Sequence, residues 1–257
     1  MSLNFSNKVF LIVGSTKGIG KDIGLRLLDS GAIVIFTGSR SSSLNSLKKI
    51  IDSKKIKRCS FYCGDLSKTI NLNKLKKDII VKWGKLDGLV ANIGNTKKMN
   101  SILDIKQSEW DWFMKNNFFS TYNAISVFSK LLIKSCSSVV IIGSIAGIKN
   151  IHAPLPYSIA KNSLSFLNEI LSDYFSKHLV RVNIVHPGNI LFKGGKWDKK
   201  LKKDKGKIVK YINENVPLKK FGDTSDIAKF VIYLLSNDAK FITGSSFIID
   251  GGQTLKK

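Results

Sequence analysis

Cysteine is scarce in this 257-residue chain: Cys59, Cys63 and Cys136 are the only three. Thiols that few and that scattered supply neither a disulfide framework nor a set of metal ligands. Cys59 and Cys63 fall on or beside an expected strand and read as buried or inert thiols. Long hydrophobic runs are missing too. No apolar stretch reaches the roughly 18 residues of a membrane span, and Met1-Ser-Leu-Asn does not open a secretory signal. Both absences predict a soluble, cytoplasmic protein. No Pro/Ser/Gly-rich linker or compositional break divides the chain, so residues 1–257 are expected to form a single domain. Acidic residues are outnumbered, 18 Asp+Glu against 42 Lys+Arg, which leaves a net charge of +24. Such a charge attracts nucleic acid or anionic membranes. Here, however, the lysines are spread over many predicted helices, with no helix-turn-helix, zinc-finger or RNA-binding signature and no strongly amphipathic terminal helix. Neither a specific nucleic acid nor a membrane is expected as a partner.

Apolar residues make up 43% of the chain, enough to build a full core. Short apolar runs near 8–13, 32–37, 57–63, 87–92, 138–143, 180–185 and 245–249 alternate with helical patterns. That alternation predicts an α/β fold: a doubly wound, Rossmann-like parallel sheet of about seven strands flanked by helices. In such sheets ligands bind beyond the carboxyl ends of the strands.

The first apolar run, Lys8 to Val13, leads straight into Gly14-Ser15-Thr16-Lys17-Gly18-Ile19-Gly20. A helix follows, with Ile23, Leu27 and Leu28 on one side and Gly31 as its expected C-cap. Glycines let the backbone turn sharply and approach a pyrophosphate, while free N–H groups and the helix dipole favour the anion. Strand, glycine turn and helix N-terminus in that order predict dinucleotide binding. At the end of the second expected strand, Phe36-Thr37-Gly38-Ser39-Arg40, no carboxylate waits for a ribose 2′-hydroxyl. Ser39 takes that place, and Arg40 and Lys17 could flank a 2′-phosphate, which points to NADP(H). The alternative is that both cations are ordinary solvated side chains.

Tyr157 and Lys161 stand four apart in Tyr-Ser-Ile-Ala-Lys, thirteen residues after Ser144. On a helix they share a face. A cation fixed beside a phenol lowers its pKa, so Tyr157 is expected to exchange a proton with a substrate oxygen near working pH.

These motifs together resemble the short-chain dehydrogenase/reductase family, over essentially the whole chain. The family's glycine turn stands as Gly14, Gly18 and Gly20, and its Ser, Tyr and Lys as Ser144, Tyr157 and Lys161. Its helix asparagine falls on Asn117, its Asn-Ala-Gly segment on Asn92-Ile93-Gly94, and its Pro-Gly on Pro187-Gly188. Its adenine-binding Asp matches Asp65 in Gly-Asp-Leu. The resemblance implies cofactor contacts from Gly14, Ser15, Lys17, Gly18, Ile19, Gly20, Ser39, Arg40, Asp65, Leu66, Asn92, Gly94, Tyr157, Lys161, Pro187, Gly188 and Ile190, and no metal. It implies hydride transfer between nicotinamide and a carbonyl or alcohol carbon. In that scheme Tyr157 is general acid or base, Ser144 orients the substrate oxygen, Lys161 lowers the Tyr157 pKa and grips the ribose, and Asn117 holds a water that relays protons. Departures from the pattern are Val13, Ala91, Ile93 and above all Phe192, which replaces a carboxamide-binding Thr.

Substrate choice in the family lies in the segment after Pro187, here a lid at about 189–215. Residues 193–210 hold nine lysines against Asp198 and Asp204, a local charge of +7. This charge either draws an anionic or carrier-bound substrate or reflects the lysine-rich composition of the whole chain. Trp197 either closes over the substrate or pins the lid. Segments such as Val216-Pro-Leu-Lys-Lys-Phe-Gly222 and Asp250-Gly-Gly252 favour 3-oxoacyl thioester reduction, although sugar and polyol dehydrogenases share them. A non-catalytic nicotinamide sensor or scaffold is the competing class. The family implies a homo-oligomer, tetramer or dimer, and apolar stripes over 123–132 and 164–175 would serve such a contact or an ordinary core.

Overall fold

Every residue of the first strand, Val9–Val13, is buried, because it lies in the middle of a seven-stranded parallel sheet. The computed structural model describes residues 3–99 and 102–255. In chain order the elements are β1 (Val9–Val13), α1 (Gly18–Asp29), β2 (Ile33–Gly38), α2 (Ser41–Lys49), α3 (Ser53–Ile56), β3 (Cys59–Cys63), α4 (Thr69–Trp83) and β4 (Gly88–Ala91). There follow α5 (Gln107–Met114), a π-turn (Lys115–Phe119), α6 (Ser120–Lys134), β5 (Ser138–Ile142), a 3₁₀ turn (Ile145–Gly147), α7 (Leu155–Ser176) and β6 (Arg181–Pro187). The last part contains β7 (Ile190–Leu191), α8 (Lys196–Lys203), α9 (Lys205–Asn215), β8 (Gly222–Asp223), α10 (Thr224–Leu235) and β9 (Ser246–Ile249).

The sheet order is β3-β2-β1-β4-β5-β6-β9. A strand therefore stands in each of the seven expected regions, and all of their pairings are parallel. The small parallel pair β7–β8 was not legible in the sequence. Two residues per strand carry no periodicity to read, and their partners lie more than thirty positions apart. β6 also runs on to Pro187, because its last residues still pair with β9 (Pro187 with Ile249).

Side chains alternate across the sheet, and the two faces build two cores. Val9, Leu11 and Val13 face α4, α6 and α7 through Leu75, Phe128 and Leu164, while Phe10 and Ile12 face α1 and α10 through Leu27 and Val231. Each side chain of this size contributes about 1.5–3 kcal/mol when fully buried. Gly24 lets α1 lie close on the sheet, since a Cβ there would sit 2.3 Å from Phe36 Cε1. Leu164, Leu167 and Phe175 of the expected α7 stripe are core residues. A different stripe on α7, including Phe166, Ile170 and Tyr174, is exposed. Cys59 is buried as expected, but Cys63, at the end of β3, is exposed beside Ser41. Among the described residues no helix is long and apolar enough to cross a membrane.

The strand order reverses between β1 and β4: from β1 the chain steps outward to β2 and β3 before returning on the other side. A crevice opens at the carboxyl ends of strands at such a switch. Gly14 follows β1 there and Asn92 follows β4, joined by a bond from Asn92 Nδ2 to the Gly14 carbonyl (2.7 Å).

Candidate active site

The glycine turn is held open by backbone conformation. Gly14 (φ 77°) and Gly18 (φ 56°) are left-handed, which a side chain would strain. A Cβ on Gly14 would also lie 2.4 Å from the Asn92 carbonyl oxygen. Lys17 precedes α1 without a side-chain cap, so N–H groups of the first turn are left for an anion. Ser15 is fully buried and does not face the cleft: its Oγ accepts from Thr37 N–H (2.8 Å), and its own N–H donates to the Thr37 carbonyl (3.1 Å). Its hydroxyl holds the turn against β2. Gly20 is likewise a packing position, where a Cβ would meet the Gly14 carbonyl at 2.4 Å.

The turn opens into a cleft of about 560 Å³. Sixteen of the nineteen expected site residues line it: Gly14, Lys17, Gly18, Ile19, Ser39, Arg40, Asp65, Leu66, Asn92, Gly94, Ser144, Tyr157, Lys161, Pro187, Gly188 and Ile190. Ser15, Gly20 and Asn117 lie just behind its wall. At one end, Arg40 and Lys17 are exposed, and among the described residues neither forms an ion pair. Partial burial raises the Asp65 pKa, but hydrogen bonds from Ser67 and the charges of Lys68 and Lys115 outweigh it and hold the carboxyl below its ordinary value. An extended cleft with a glycine cradle, cations at one end and polar groups at the other fits a dinucleotide.

At the other end, Ser144 caps the 3₁₀ turn after β5, its Oγ accepting from Ala146 N–H (3.2 Å). Tyr157, near the start of α7, lines the same cleft as Ser144. One turn further along, Lys161 is 2% exposed and donates to the Ile93 (2.8 Å) and Ile142 (3.0 Å) carbonyls. Gly147 lets α7 come this close, for a Cβ there would meet the helix backbone at 2.6 Å. Asn117 sits in the π-turn, a distortion that often marks a functional position. Its Oδ1 accepts from Asn95 N–H (3.0 Å), and its Nδ2 donates to the Asn95 (3.0 Å) and Phe113 (2.9 Å) carbonyls. Lys161 and Asn117 converge on Gly94, where a Cβ would lie 3.0 Å from Lys161 Nζ and 3.4 Å from Asn117 Oδ1.

Comparison with known proteins bears on this constellation. A family model described as enoyl-(acyl carrier protein) reductase matches residues 13–254. The chain belongs to the short-chain dehydrogenase/reductase family. It is 30% identical over 260 residues to the 3-oxoacyl-[acyl-carrier-protein] reductase FabG of Buchnera aphidicola subsp. Schizaphis graminum, covering 97% of this chain and 98% of that protein. It is 27% identical over 250 residues to mouse dehydrogenase/reductase SDR family member 4, covering 96% and 87% of the two chains. The structure of L-sorbose reductase from Gluconobacter frateurii, complexed with NADPH and L-sorbose, superposes with a TM-score of 0.92 at 22% identity over 100% of both chains. At that identity the match speaks for the fold.

Within this short-chain dehydrogenase/reductase, two features differ from the sequence expectation. Burial pushes the Tyr157 pKa up, against a smaller opposing pull from Ser144, so the phenol is held protonated. The expected lowering by Lys161 is not found, because burial also drives the Lys161 amine from 10.5 to about 7 and its donors are turned to the two carbonyls. Second, the Phe192 ring lies against the glycine turn: a Cβ on Gly18 would meet its Cζ at 2.9 Å.

The segment after Pro187 supplies residues that motif reading did not place. Lys196 and Trp197 line the cleft along with Phe192, and so do Asn116 and Ser120 beside the π-turn. Trp197 lines the cleft and also packs on its own segment's neighbours, stacking on Tyr211 (5.2 Å, 23°) and contacting Phe221 (5.4 Å). His186 is fully buried behind Ser144, where a β-strand pattern gave no hint of a polar side chain. Its apolar neighbours in Arg181–Pro187 mask it.

The Lys161 shift has a signed consequence for stability. Between pH 7 and 10.5 the folded chain holds less proton at this group than the unfolded chain, so stability rises with pH across that window and is flat below about 7. Urea unfolding of wild type and Lys161→Met at several pH values is expected to show wild type gaining on the variant from pH 7 toward 10. Parallel pH profiles would contradict the buried, proton-poor amine.

Proposed function

We propose that the protein is an NADP(H)-dependent reductase of a carbonyl substrate, and that a 3-oxoacyl thioester is the substrate class. The observation that carries the reading is that Ser144, Tyr157 and the buried Lys161 line one cleft. Reduced nicotinamide, when bound, supplies a hydride to the carbonyl carbon. Ser144 then donates a hydrogen bond to the carbonyl oxygen as negative charge builds there. Tyr157, protonated by virtue of its burial, delivers its proton to the same oxygen and completes the alcohol. Lys161 and Asn117, meeting at Gly94, form the route by which Tyr157 is reprotonated. Among the chain's relatives are several named 3-oxoacyl-[acyl-carrier-protein] reductases, which supports the thioester. The segment at about 189–215 is the substrate lid, and Lys196 with its lysine-rich neighbours suits an anionic or carrier-bound substrate.

A keto-sugar is the second reading, favoured by the likeness to L-sorbose reductase. A sensor or scaffold without chemistry is disfavoured, because the Ser, Tyr and Lys are all present and face one cleft. Tyr157→Phe is expected to lower kcat about 10²- to 10⁴-fold in an NADPH-oxidation assay run on 3-oxoacyl thioesters, keto-sugars and simple ketones, with NADPH affinity retained. Turnover near the wild-type rate in that variant would refute the catalytic reading.

NADP(H) preference rests on the absence of a carboxylate at the end of β2 and on the unpaired Arg40 and Lys17 at that end of the cleft. Exchange of Arg40 for Asp should swing kcat/KM toward NADH, measured with both cofactors on one substrate. An unchanged ratio would defeat the assignment.

The protein is further read as a cytoplasmic homo-oligomer. Its cysteines are all free, as suits a reducing compartment. Ile159, Phe166, Ile170 and Tyr174 form an exposed apolar stripe on α7, close to exposed Phe119 at the start of α6. Sedimentation of wild type is expected to give a dimer or tetramer, and Phe166→Glu a smaller species. A wild-type monomer at micromolar concentration excludes this assembly.

A further inference from the structure

His186 is the one fully buried histidine among the described residues, and the chemistry proposed above does not use it. It stands on β6 beside Gly143, one step beyond the Ile142–Val185 pair of the sheet, and Gly143 N–H donates to the Val185 carbonyl (2.7 Å). The imidazole packs against Gly143, where a Cβ would lie 2.5 Å from His186 Nδ1. Small residue and large ring thus fit one another across two strands. Its Nδ1 meets the next peptide group on both sides: Ser144 N is 3.3 Å away and Ser144 O is 3.1 Å away. The opposite ring nitrogen, Nε2, lies 3.4 Å from Ser165 Oγ.

Ser165 is eight residues after Tyr157 and four after Lys161, so it continues their stripe on α7. A neutral imidazole carries one N–H and one acceptor nitrogen. With the proton on Nε2, the ring donates to Ser165 and accepts from Ser144 N–H. With the proton on Nδ1, it donates to the Ser144 carbonyl and accepts from the Ser165 hydroxyl. Either tautomer ties the same two elements together. Burial, the hydrogen bond to the Ser144 backbone and the Lys161 charge act on the ring, and burial prevails, so its pKa lies below the ordinary histidine value and it is uncharged at neutral pH.

We propose that His186 is a positioning residue, whose ring braces the Ser144 peptide against Ser165 on α7 and thereby fixes how the Ser144 and Tyr157 hydroxyls meet a carbonyl oxygen. The turnover part of this inference rests on the reductase reading; the brace itself does not. Hydroxyls on two different elements act together only while the distance between those elements is held, and misplacement of a reacting group by about 1 Å can cost on the order of 10²-fold in rate.

The test compares His186→Leu, which keeps the volume and loses both polar contacts, with His186→Asn, whose amide reaches the place of Nδ1. Ser165→Ala removes the far partner and leaves the core filled. Two quantities are read: amide hydrogen exchange of the peptide spanning residues 143–147, and kcat and KM for NADPH-driven reduction of acetoacetyl-coenzyme A. In His186→Leu, exchange over 143–147 should rise at least fivefold with β1 unchanged, and kcat should fall about tenfold or more with KM nearly constant, about the loss of one good hydrogen bond. His186→Asn should recover most of both, and Ser165→Ala should show a smaller change in the same direction. Unaltered exchange in His186→Leu and Ser165→Ala overturns the brace, as does a Leu variant that matches or exceeds Asn in kcat. If wild type fails to reduce acetoacetyl-coenzyme A, the substrate reading is what fails, and the exchange data still decide the brace.

Discussion

The buried side-chain amine of Lys161 is the constraint around which the rest is arranged. Its Nζ donates to the carbonyl of Ile142, the last residue of β5, and to that of Ile93, just beyond β4. One amine on α7 therefore satisfies two chain ends at the edge of the sheet, where backbone carbonyls have run out of ladder partners. Burying it is costly enough to shift its pKa to about 7, and the fold accepts that cost where a hydrophobic residue would be cheaper. Such placement is the mark of a group kept for chemistry. The same insertion fixes α7 against the sheet, which sets Tyr157 one turn back and Ser165 one turn on.

Much of this was legible in the residues. The central strands β1 and β5 are buried on both faces, so Val9–Val13 and Val139–Ile142 appear as unbroken apolar runs between helical patterns. The glycine turn was legible because Gly14 and Gly18 need backbone angles that other residues resist. Tyr157 and Lys161 stood out by helical spacing. What escaped notice depends on contacts between distant segments. Ser15 was expected in the cleft and is turned into the protein, because Thr37, on the next strand, offers it both a donor and an acceptor. The lowering of the Tyr157 pKa was expected from the neighbouring amine, but a local pairing rule does not register that the amine is buried and donates to two backbone carbonyls.

The lysine-rich segment after Pro187 shows the same division. Its charge was plain from nine lysines in 193–210, whereas its attachment was not. Trp197, Tyr211 and Phe221 come from three separate stretches and meet only in space, and β7 and β8 pair across thirty residues to close its base. Aromatic stacking of this kind contributes about 0.5–1.5 kcal/mol per pair beyond the area it buries. The segment is thereby anchored by its aromatic residues, while Phe192 and Lys196 line the cleft.

The π-turn at Lys115–Phe119 joins α5 to α6 without a break in the helical path. A single surplus residue in a helix rotates everything after it by about 100°. That rotation brings the amide of Asn117 inward onto Asn95 and at once decides which flank of α6 is turned to solvent, the flank that carries Tyr122. A one-residue shortening at this point would restore a regular helix and misaim both the inner amide and the outer apolar surface, so the interior geometry and the external face share a single length requirement.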